Sequence, residues 1–147
     1  MRFKIIAIAL AGSLGAAIFA QSSMPPGQYM SAGEFAGAIA QSAADRPGMA
    51  VGRMTNTDDY RINMIHRTQA AGAIIHEVGT ELHYITDGAG TLVTGGVIVR
   101  PQGGGPGNIE GGKAQRVSVG DAVLVPEGTP HQYTAVEGSV TYLEVRF

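Results

Sequence analysis

The sequence predicts an all-β fold, a sandwich or small barrel, with one short helix near its N-terminus. From Met49 onward, short runs of branched and aromatic residues alternate with glycine-rich turns at even spacing, which is typical of such folds. The chain has 22 glycines and seven prolines in 147 residues, and its hydrophobic content of 44% suffices for one core. We therefore expect three parts: a signal peptide at residues 1–20, a linker and helix at 21–48, and a barrel at 49–147.

Residues 1–20 have the layout of a secretory signal peptide. Arg2 and Lys4 provide a basic start, an apolar run covers residues 5–14, and small residues follow up to Ala20. An uncleaved membrane anchor is the alternative, but the apolar run is short for a span of about 20 residues. We expect cleavage, and hence a periplasmic or secreted bacterial protein.

The charge balance argues against nucleic acid and membrane as partners. The full chain carries a net charge of −2, and loss of Arg2 and Lys4 with the signal would lower it to −4. No basic cluster remains after cleavage, so neither nucleic acid nor an anionic membrane surface is an expected partner. The absence of cysteine excludes disulfides, a thiolate nucleophile and cysteine metal ligands.

The elements of the mature chain can be placed in order. Two prolines interrupt the linker at 21–30, and the capping-box spacing of Ser31 and Glu34 predicts a helix from Ser31 to Ala44, packed outside the domain or on a partner subunit. Turn signals separate the strands that we predict after it: 60–68, 73–76, 81–87, 91–94, 97–100, 114–119, 122–125, 132–136 and 140–147. Strands 81–87 and 91–94 are expected to form a hairpin across residues 88–90. The glycine-rich residues 101–112 predict a loop, either a lid over a site or a mobile surface insertion.

The stretch from His76 to Gly88 carries the residues of a candidate metal site. Glu81 and His83 are two residues apart, so on a strand both side chains point to the same face. Imidazole and carboxylate groups that converge on one face are what a borderline divalent cation requires. The alternative interpretation is a polar strand with two surface histidines.

A second stretch supplies another histidine after a sharp bend. Gly120, Pro126, Gly128 and His131 follow one another with five, one and two residues between them. Proline fixes φ and glycine permits a positive φ, so the chain turns sharply just before His131. This spacing resembles the second conserved motif of the cupin superfamily, although the asparagine usual in cupins four residues later is Ala135 here.

The first stretch is similar to the other cupin motif, with one departure. His76, Glu81 and Gly88 have the spacing of the second histidine, the glutamate and the glycine of that motif. The position of the motif's first histidine is occupied by Ile74. The resemblance to cupins covers roughly residues 50–147.

This resemblance implies a cupin-type jelly-roll barrel with one divalent metal ion inside it. The implied ligands are His76, Glu81 and His131, and two imidazoles with one carboxylate suit Fe, Mn, Zn or Ni. Such a ligand set leaves positions open for water, substrate or dioxygen. Cupins commonly form dimers, so the resemblance also implies a possible homodimer.

Two histidines are candidates for the ligand missing at Ile74. His83 should point inward with Glu81; it could instead hydrogen-bond that carboxylate or act as an acid or base. His66 would face His76 across a strand pair, with Cβ atoms about 5 Å apart, if Thr68 pairs with Ile74. A register slip of one residue would destroy this pairing. Four histidines in or beside these strands favour a metal.

Two functions remain open at this point. The first is a metalloenzyme of dioxygenase, isomerase or lyase type that acts on a small molecule, with Glu81, His83 and Tyr133 as candidate catalytic residues. Tyr133 lies two residues after His131 and could offer its phenol to a ligand. The second is a non-catalytic barrel that binds a small ligand, with or without metal, which Ile74 and Ala135 favour. A structural barrel with relic motifs is a third interpretation.

Overall fold

The computed structural model describes residues 24–147, which contain one helix and eight strands in this order: α1 (Ala32–Asp45), β1 (Met49–Asn56), β2 (Arg61–Arg67), β3 (Glu81–Thr94), β4 (Val97–Val99), β5 (Asn108–Glu110), β6 (Lys113–Ser118), β7 (Ala122–Val125) and β8 (His131–Arg146). The signal peptide predicted for residues 1–20 lies outside the described residues. Among the described helices, none has the length and apolar character needed to cross a bilayer.

Helix α1 begins with the predicted capping box. The Ser31 side chain accepts a hydrogen bond from the Glu34 backbone N–H, and the Glu34 carboxylate accepts one from the Ser31 N–H at 2.6 Å. The helix lies against β1, where a Cβ at Gly52 would sit 3.2 Å from Phe35 and 3.3 Å from Ile39. Glycine at this position therefore allows the helix to approach the strand closely.

The strands form one curved antiparallel sheet and a small hairpin. The sheet order is β1-β2-β8-β3-β6, with β7 also paired to β3, whereas β4 and β5 pair only with each other. The buried face of the sheet carries the apolar core: Ile65, Ile85, Leu92, Val117, Tyr133, Val140 and Tyr142. The two long strands β3 and β8 pair along almost their full length. Their register therefore determines which inward-facing side chains lie next to each other.

The prediction of a hairpin across residues 88–90 was wrong. β3 runs unbroken through Gly88, and both of its halves pair with β8. Gly88 has a φ of +70°, and a Cβ there would lie 2.0 Å from the carbonyl oxygen of Ser139. The glycine therefore permits a bulge and a close backbone contact without reversing the chain.

Two further predictions need correction. The predicted turn at residues 137–138 lies inside β8, which spans the two strands that we expected there. Residues 101–112 are not wholly a loop, because residues 108–110 form β5. The Gln132 side chain anchors this segment: it accepts from the Ile109 N–H and donates to the Asn108 side chain and the Ala71 carbonyl.

Candidate metal centre

The Glu81 carboxylate is the centre of a buried polar cluster. Glu81 starts β3, and His83 follows it on the same face, as the strand alternation predicted; each is 1% exposed. Nε2 of His83 lies 3.2 Å from Oε2 of Glu81. The other two polar neighbours come from outside the strand: Nε2 of His131 lies 3.3 Å from Oε2, and Nε2 of His76 lies 3.1 Å from Oε1.

His76 reaches Glu81 from the segment that precedes β3. Its carbonyl accepts a hydrogen bond from the Gly128 N–H at 2.9 Å, which ties this segment to the bend after Pro126. The bend thus positions two histidines, since it also leads into His131 at the start of β8. The His76 side chain is 33% exposed, so it forms the solvent side of the cluster.

The hydrogen bond of His131 to Thr129 fixes the tautomer of this imidazole. Nδ1 of His131 lies 3.1 Å from the carbonyl oxygen of Thr129. A carbonyl only accepts, so Nδ1 must carry the proton, and in the neutral ring Nε2 then presents a lone pair to Glu81. Burial lowers the pKa of His131, which favours this neutral form. Two electron-rich atoms thus face each other at 3.3 Å, an arrangement that a cation between them would stabilise.

His83 differs from His131 in what its second nitrogen contacts. Nδ1 of His83 is buried and has no hydrogen-bond partner among the described residues. Histidines that bind metals normally donate this N–H to a carbonyl or carboxylate. The structure therefore favours His83 as a donor to Glu81 over His83 as a ligand. The ring packs against Tyr142 at an interplanar angle of 32°, with centroids 4.5 Å apart, which restricts its orientation.

Glu81 is ionised despite its burial. The pKa of Glu81 is lowered: desolvation by burial opposes the charged form, and the hydrogen bond from His83 is the largest of the interactions that favour it. Nη1 of Arg146, directly across from Glu81 on β8, lies 3.5 Å from Oε1. The cluster thus offers a carboxylate with two oxygens facing different imidazoles.

The separations in the cluster fit a metal site. Ligand atoms about 2.1 Å from one ion lie roughly 3.0 to 3.4 Å apart in octahedral or tetrahedral geometry. The distances from Glu81 to His76 and to His131, 3.1 and 3.3 Å, fall in this range. Within the part of the chain that the structure describes, His76, Glu81 and His131 form one group able to hold a metal ion, and Glu81, His83 and Glu144 form another.

His66 does not join this cluster, and its predicted pairing with His76 was wrong. His66 pairs with Ala50 on β1 and with Thr141 on β8, and its Nδ1 lies 2.9 Å from the Thr141 hydroxyl. The inward face of β2 carries Asn63, Ile65 and Arg67. Since residues 69–80 form an irregular segment with only an isolated bridge at Ile74, the strand needed to place His76 opposite His66 does not exist.

Ile74 nevertheless lies next to the site. It forms an isolated antiparallel bridge with His131, with both backbone hydrogen bonds at 2.9 to 3.0 Å. Directly paired residues in an antiparallel bridge point to the same side. The Ile74 side chain, 42% exposed, therefore stands beside the His131 imidazole at the position where a cupin would carry its first histidine.

A cavity of about 420 Å³ opens beside the cluster. His83, His131 and Tyr133 are among the residues that line it. The Tyr133 hydroxyl is buried and has no partner among the described residues. Burial raises the pKa of Tyr133, so its phenol is protonated. Another cavity of about 420 Å³ lies on the side of His76 and Arg146.

Arg67, Tyr142 and Glu144 are among the cavity residues that were not predicted from the sequence. Arg67 was missed because His66 was predicted to face inward. Adjacent residues of a strand point to opposite faces, so that prediction placed Arg67 on the outer face. Tyr142 and Glu144 have the opposite parity from Tyr133 because bulges between β3 and β8 shift the register. The charged residue Glu144, two positions after the aromatic Tyr142, was the one signal available in the sequence.

No protein-family model matches the sequence, and no curated protein matches it. Solved structures do match. The Fe(II) form of HppE is 17% identical with a TM-score of 0.53, and the match covers 67% of this chain and 50% of HppE. KdgF from Halomonas sp. is 23% identical (TM-score 0.51; 69% of this chain and 82% of KdgF). A putative mannose-6-phosphate isomerase from Ralstonia eutropha is 14% identical (TM-score 0.51; 69% and 85%). These are cupin-fold proteins, so the predicted cupin-type jelly roll is confirmed, and at these identities the similarity shows the fold alone.

Proposed function

With a cupin-type jelly roll as the premise, we propose that this protein is a metal-dependent enzyme that acts on a small molecule in its barrel. His76, Glu81 and His131 would hold the ion. The observation that carries the proposal is the fixed tautomer of His131, whose Nε2 lone pair faces an ionised carboxylate at 3.3 Å. A metal ion between the two groups or a proton on Nε2 would stabilise this arrangement. The lowered pKa of His131 disfavours the proton.

The donor set suits a borderline transition metal. Two neutral imidazoles and one carboxylate favour Fe(II), Mn, Zn or Ni over Mg or Ca, which prefer oxygen ligands. The similarity in fold to HppE, a protein solved with Fe(II), supports this choice of metals. When bound, such an ion with open positions would polarise a substrate oxygen or bind dioxygen.

The surrounding residues have distinct proposed roles. His83 donates Nε2–H to Glu81, so its Nδ1 lone pair is free to accept a proton from a ligand in the cavity. The Tyr133 hydroxyl, protonated and unpartnered, would donate a hydrogen bond to that ligand. These two groups and Glu81 are the candidate catalytic residues for dioxygenase, isomerase or lyase chemistry.

A second candidate function is a barrel that binds a small ligand without turnover. The specific observation in its favour is Ile74, an apolar residue beside His131 where a fourth ligand would stand. A three-residue site would then be a remnant that binds metal weakly or not at all. The cavity and its polar lining would serve this function equally well.

Cobalt separates the two functions. Co(II) added to the metal-free protein should give visible absorption bands at one equivalent, and azide should shift them by occupying an open position. Glu81→Gln should abolish the bands, whereas Glu137→Gln, at an exposed ion pair with Arg116, should keep them. Absence of the bands, or bands that azide does not change, would contradict a catalytic metal.

We also propose export to the periplasm or medium and assembly as a homodimer. Export is supported by the composition of residues 1–20. N-terminal sequencing of the protein recovered from the periplasmic fraction tests cleavage near Ala20. Sedimentation equilibrium of that material tests the dimer.

A further inference from the structure

The cavity contains a buried positive charge without a counterion. Arg67 ends β2, faces inward and is only 9% exposed, yet no carboxylate among the described residues lies within 4 Å of its guanidinium. Arginine does not lose its proton in proteins, so this charge persists at every working pH. An unpaired buried charge is costly, because burial removes its hydration.

The neighbours of Arg67 use only part of its hydrogen-bonding capacity. Nε donates to the Tyr142 hydroxyl at 3.0 Å, and the guanidinium carbon lies 5.4 Å from the centre of the Tyr133 ring. Both contacts hold the planar group in place and compensate part of its charge. Neither of them uses the two Nη atoms, whose geometry matches the two oxygens of a carboxylate.

The wall of the cavity connects Arg67 to the Glu81 cluster. The His83 ring packs at a tilt against Tyr142, with centroids 4.5 Å apart, and Tyr142 stacks on Tyr133 at 5.1 Å. Arg67 pairs with Val140 on β8, whereas Glu81 pairs with Arg146, six residues further along the same strand. The cation and the candidate metal centre thus lie at different levels of one cavity.

The charges in the cavity select the class of ligand. Glu144 is the acidic residue of the lining, and it lies four residues along β8 from the level of Arg67, with one oxygen accepting from Asn63 at 2.9 Å. The Glu144 carboxylate would repel a second negative charge on the part of the ligand that extends away from Arg67. The lining carries two guanidiniums, the buried Arg67 and the exposed Arg100, and one carboxylate, Glu144. Its net charge of +1 favours a ligand with a single negative charge at one end and a neutral polar group at the other.

We propose that the cavity binds a small monocarboxylate, with its carboxylate on the Nη atoms of Arg67 and its neutral end toward the Glu81 cluster. Tyr133 and His83 line this same cavity, and each has a buried polar atom, the hydroxyl and Nδ1, that has no partner among the described residues and that the neutral end would satisfy. That this carboxylate is also the substrate rests on the proposed function. The binding itself requires no metal.

The test follows the Nε–H resonance of Arg67 by NMR in the full processed protein, with and without Zn(II). Arg67→Gln assigns the signal by removing it. The probes are lactate, its neutral isostere lactamide, acetate, pyruvate and inorganic phosphate. We expect lactate to shift the signal saturably and to bind at least tenfold more tightly than lactamide, whether or not zinc is present.

The variants test whether Arg67 binds the ligand carboxylate or only supports the wall of the cavity. Arg67→Gln should weaken lactate binding at least tenfold, monitored at the Tyr133 amide. Arg67→Lys keeps the charge and should still prefer lactate to lactamide, and Arg53→Gln, on the exposed side of β1, should bind as the parent does. Equal binding of lactamide, unchanged binding by Arg67→Gln, or a response to phosphate but to no carboxylate would overturn the proposal. Carboxylate binding in a protein that takes up no metal would support it while contradicting the metalloenzyme.

Discussion

Nδ1 of His131 donates to the carbonyl oxygen of Thr129 at 3.1 Å, and this one bond determines what His131 presents to the rest of the site. The bend after Pro126 places the carbonyl two residues before the histidine, so the tautomer follows from the local backbone. The same nitrogen of His83 has no acceptor within residues 24–147. Two histidines with similar distances to Glu81 are therefore suited to different tasks.

The tautomer of His131 is the first prediction. In the metal-free protein at pH 7.5, we expect Nδ1 to be protonated and Nε2 unprotonated, since Thr129 offers only an acceptor. Long-range ¹⁵N–¹H correlation spectra of the imidazole distinguish the tautomers directly, and His131→Asn assigns the signals. A proton on Nε2 would contradict the argument that this nitrogen has a lone pair available to bind a metal ion.

Ile74→His should strengthen metal binding. The bridge to His131 directs the side chain at position 74 toward the cluster, so an imidazole there would add a ligand. We expect at least tenfold tighter Zn(II) binding, measured by competition with a chelator. Leu124→His is the matched control, because Leu124 is 58% exposed on β7. Equal gains in both variants would indicate binding at the surface.

Stability of the metal-free protein should decrease in acid in two stages. Burial lowers the pKa of His131, so the unfolded state binds a proton more readily below about pH 6.5 and the free energy of unfolding falls from there. The lowered pKa of Glu81 contributes stability above its ordinary value of 4.5 that is lost as pH falls through the folded-state pKa. Urea unfolding from pH 8 to 2 measures both stages.

His131→Gln should flatten the upper stage of that profile and leave the lower one. The substitution removes the titrating group but keeps a polar side chain at the start of β8. A parent protein whose stability is constant or rises between pH 7 and 5 would contradict the assignment.

Gly88→Ala should destabilise the fold more than Gly138→Ala does. Both glycines have a positive φ, +70° and +76°, so each substitution incurs backbone strain of about 1–2 kcal/mol. At Gly88 the added Cβ also meets the Ser139 carbonyl at 2.0 Å, whereas at Gly138 nothing lies within 4 Å. Thermal and urea unfolding of both variants measure the difference. Equal losses would contradict an unbroken β3 with a bulge.

Local patterns in the sequence predicted the parts of the site that are close in the chain. The two-residue spacing placed Glu81 and His83 on one face, and the bend at Pro126 placed His131 at a strand start. The inward position of Arg67 could not be derived, because it depends on register between distant strands. Glycines in β3 and β8 signalled turns in the sequence, yet in the fold they serve bulges and close contacts, which involve residues far away in the chain.

Metal content of the processed protein, residues 21–147, purified without a histidine tag, tests the central claim most directly. The comparison is with a His76→Ala, His131→Ala double variant and with Glu137→Gln as the control. We predict close to one equivalent of a transition metal in the parent and the control, and loss of it in the double variant, as measured by plasma mass spectrometry. Absence of metal in all three, even after incubation with Fe(II), Mn, Ni and Zn, would contradict the metal centre and leave a ligand-binding barrel.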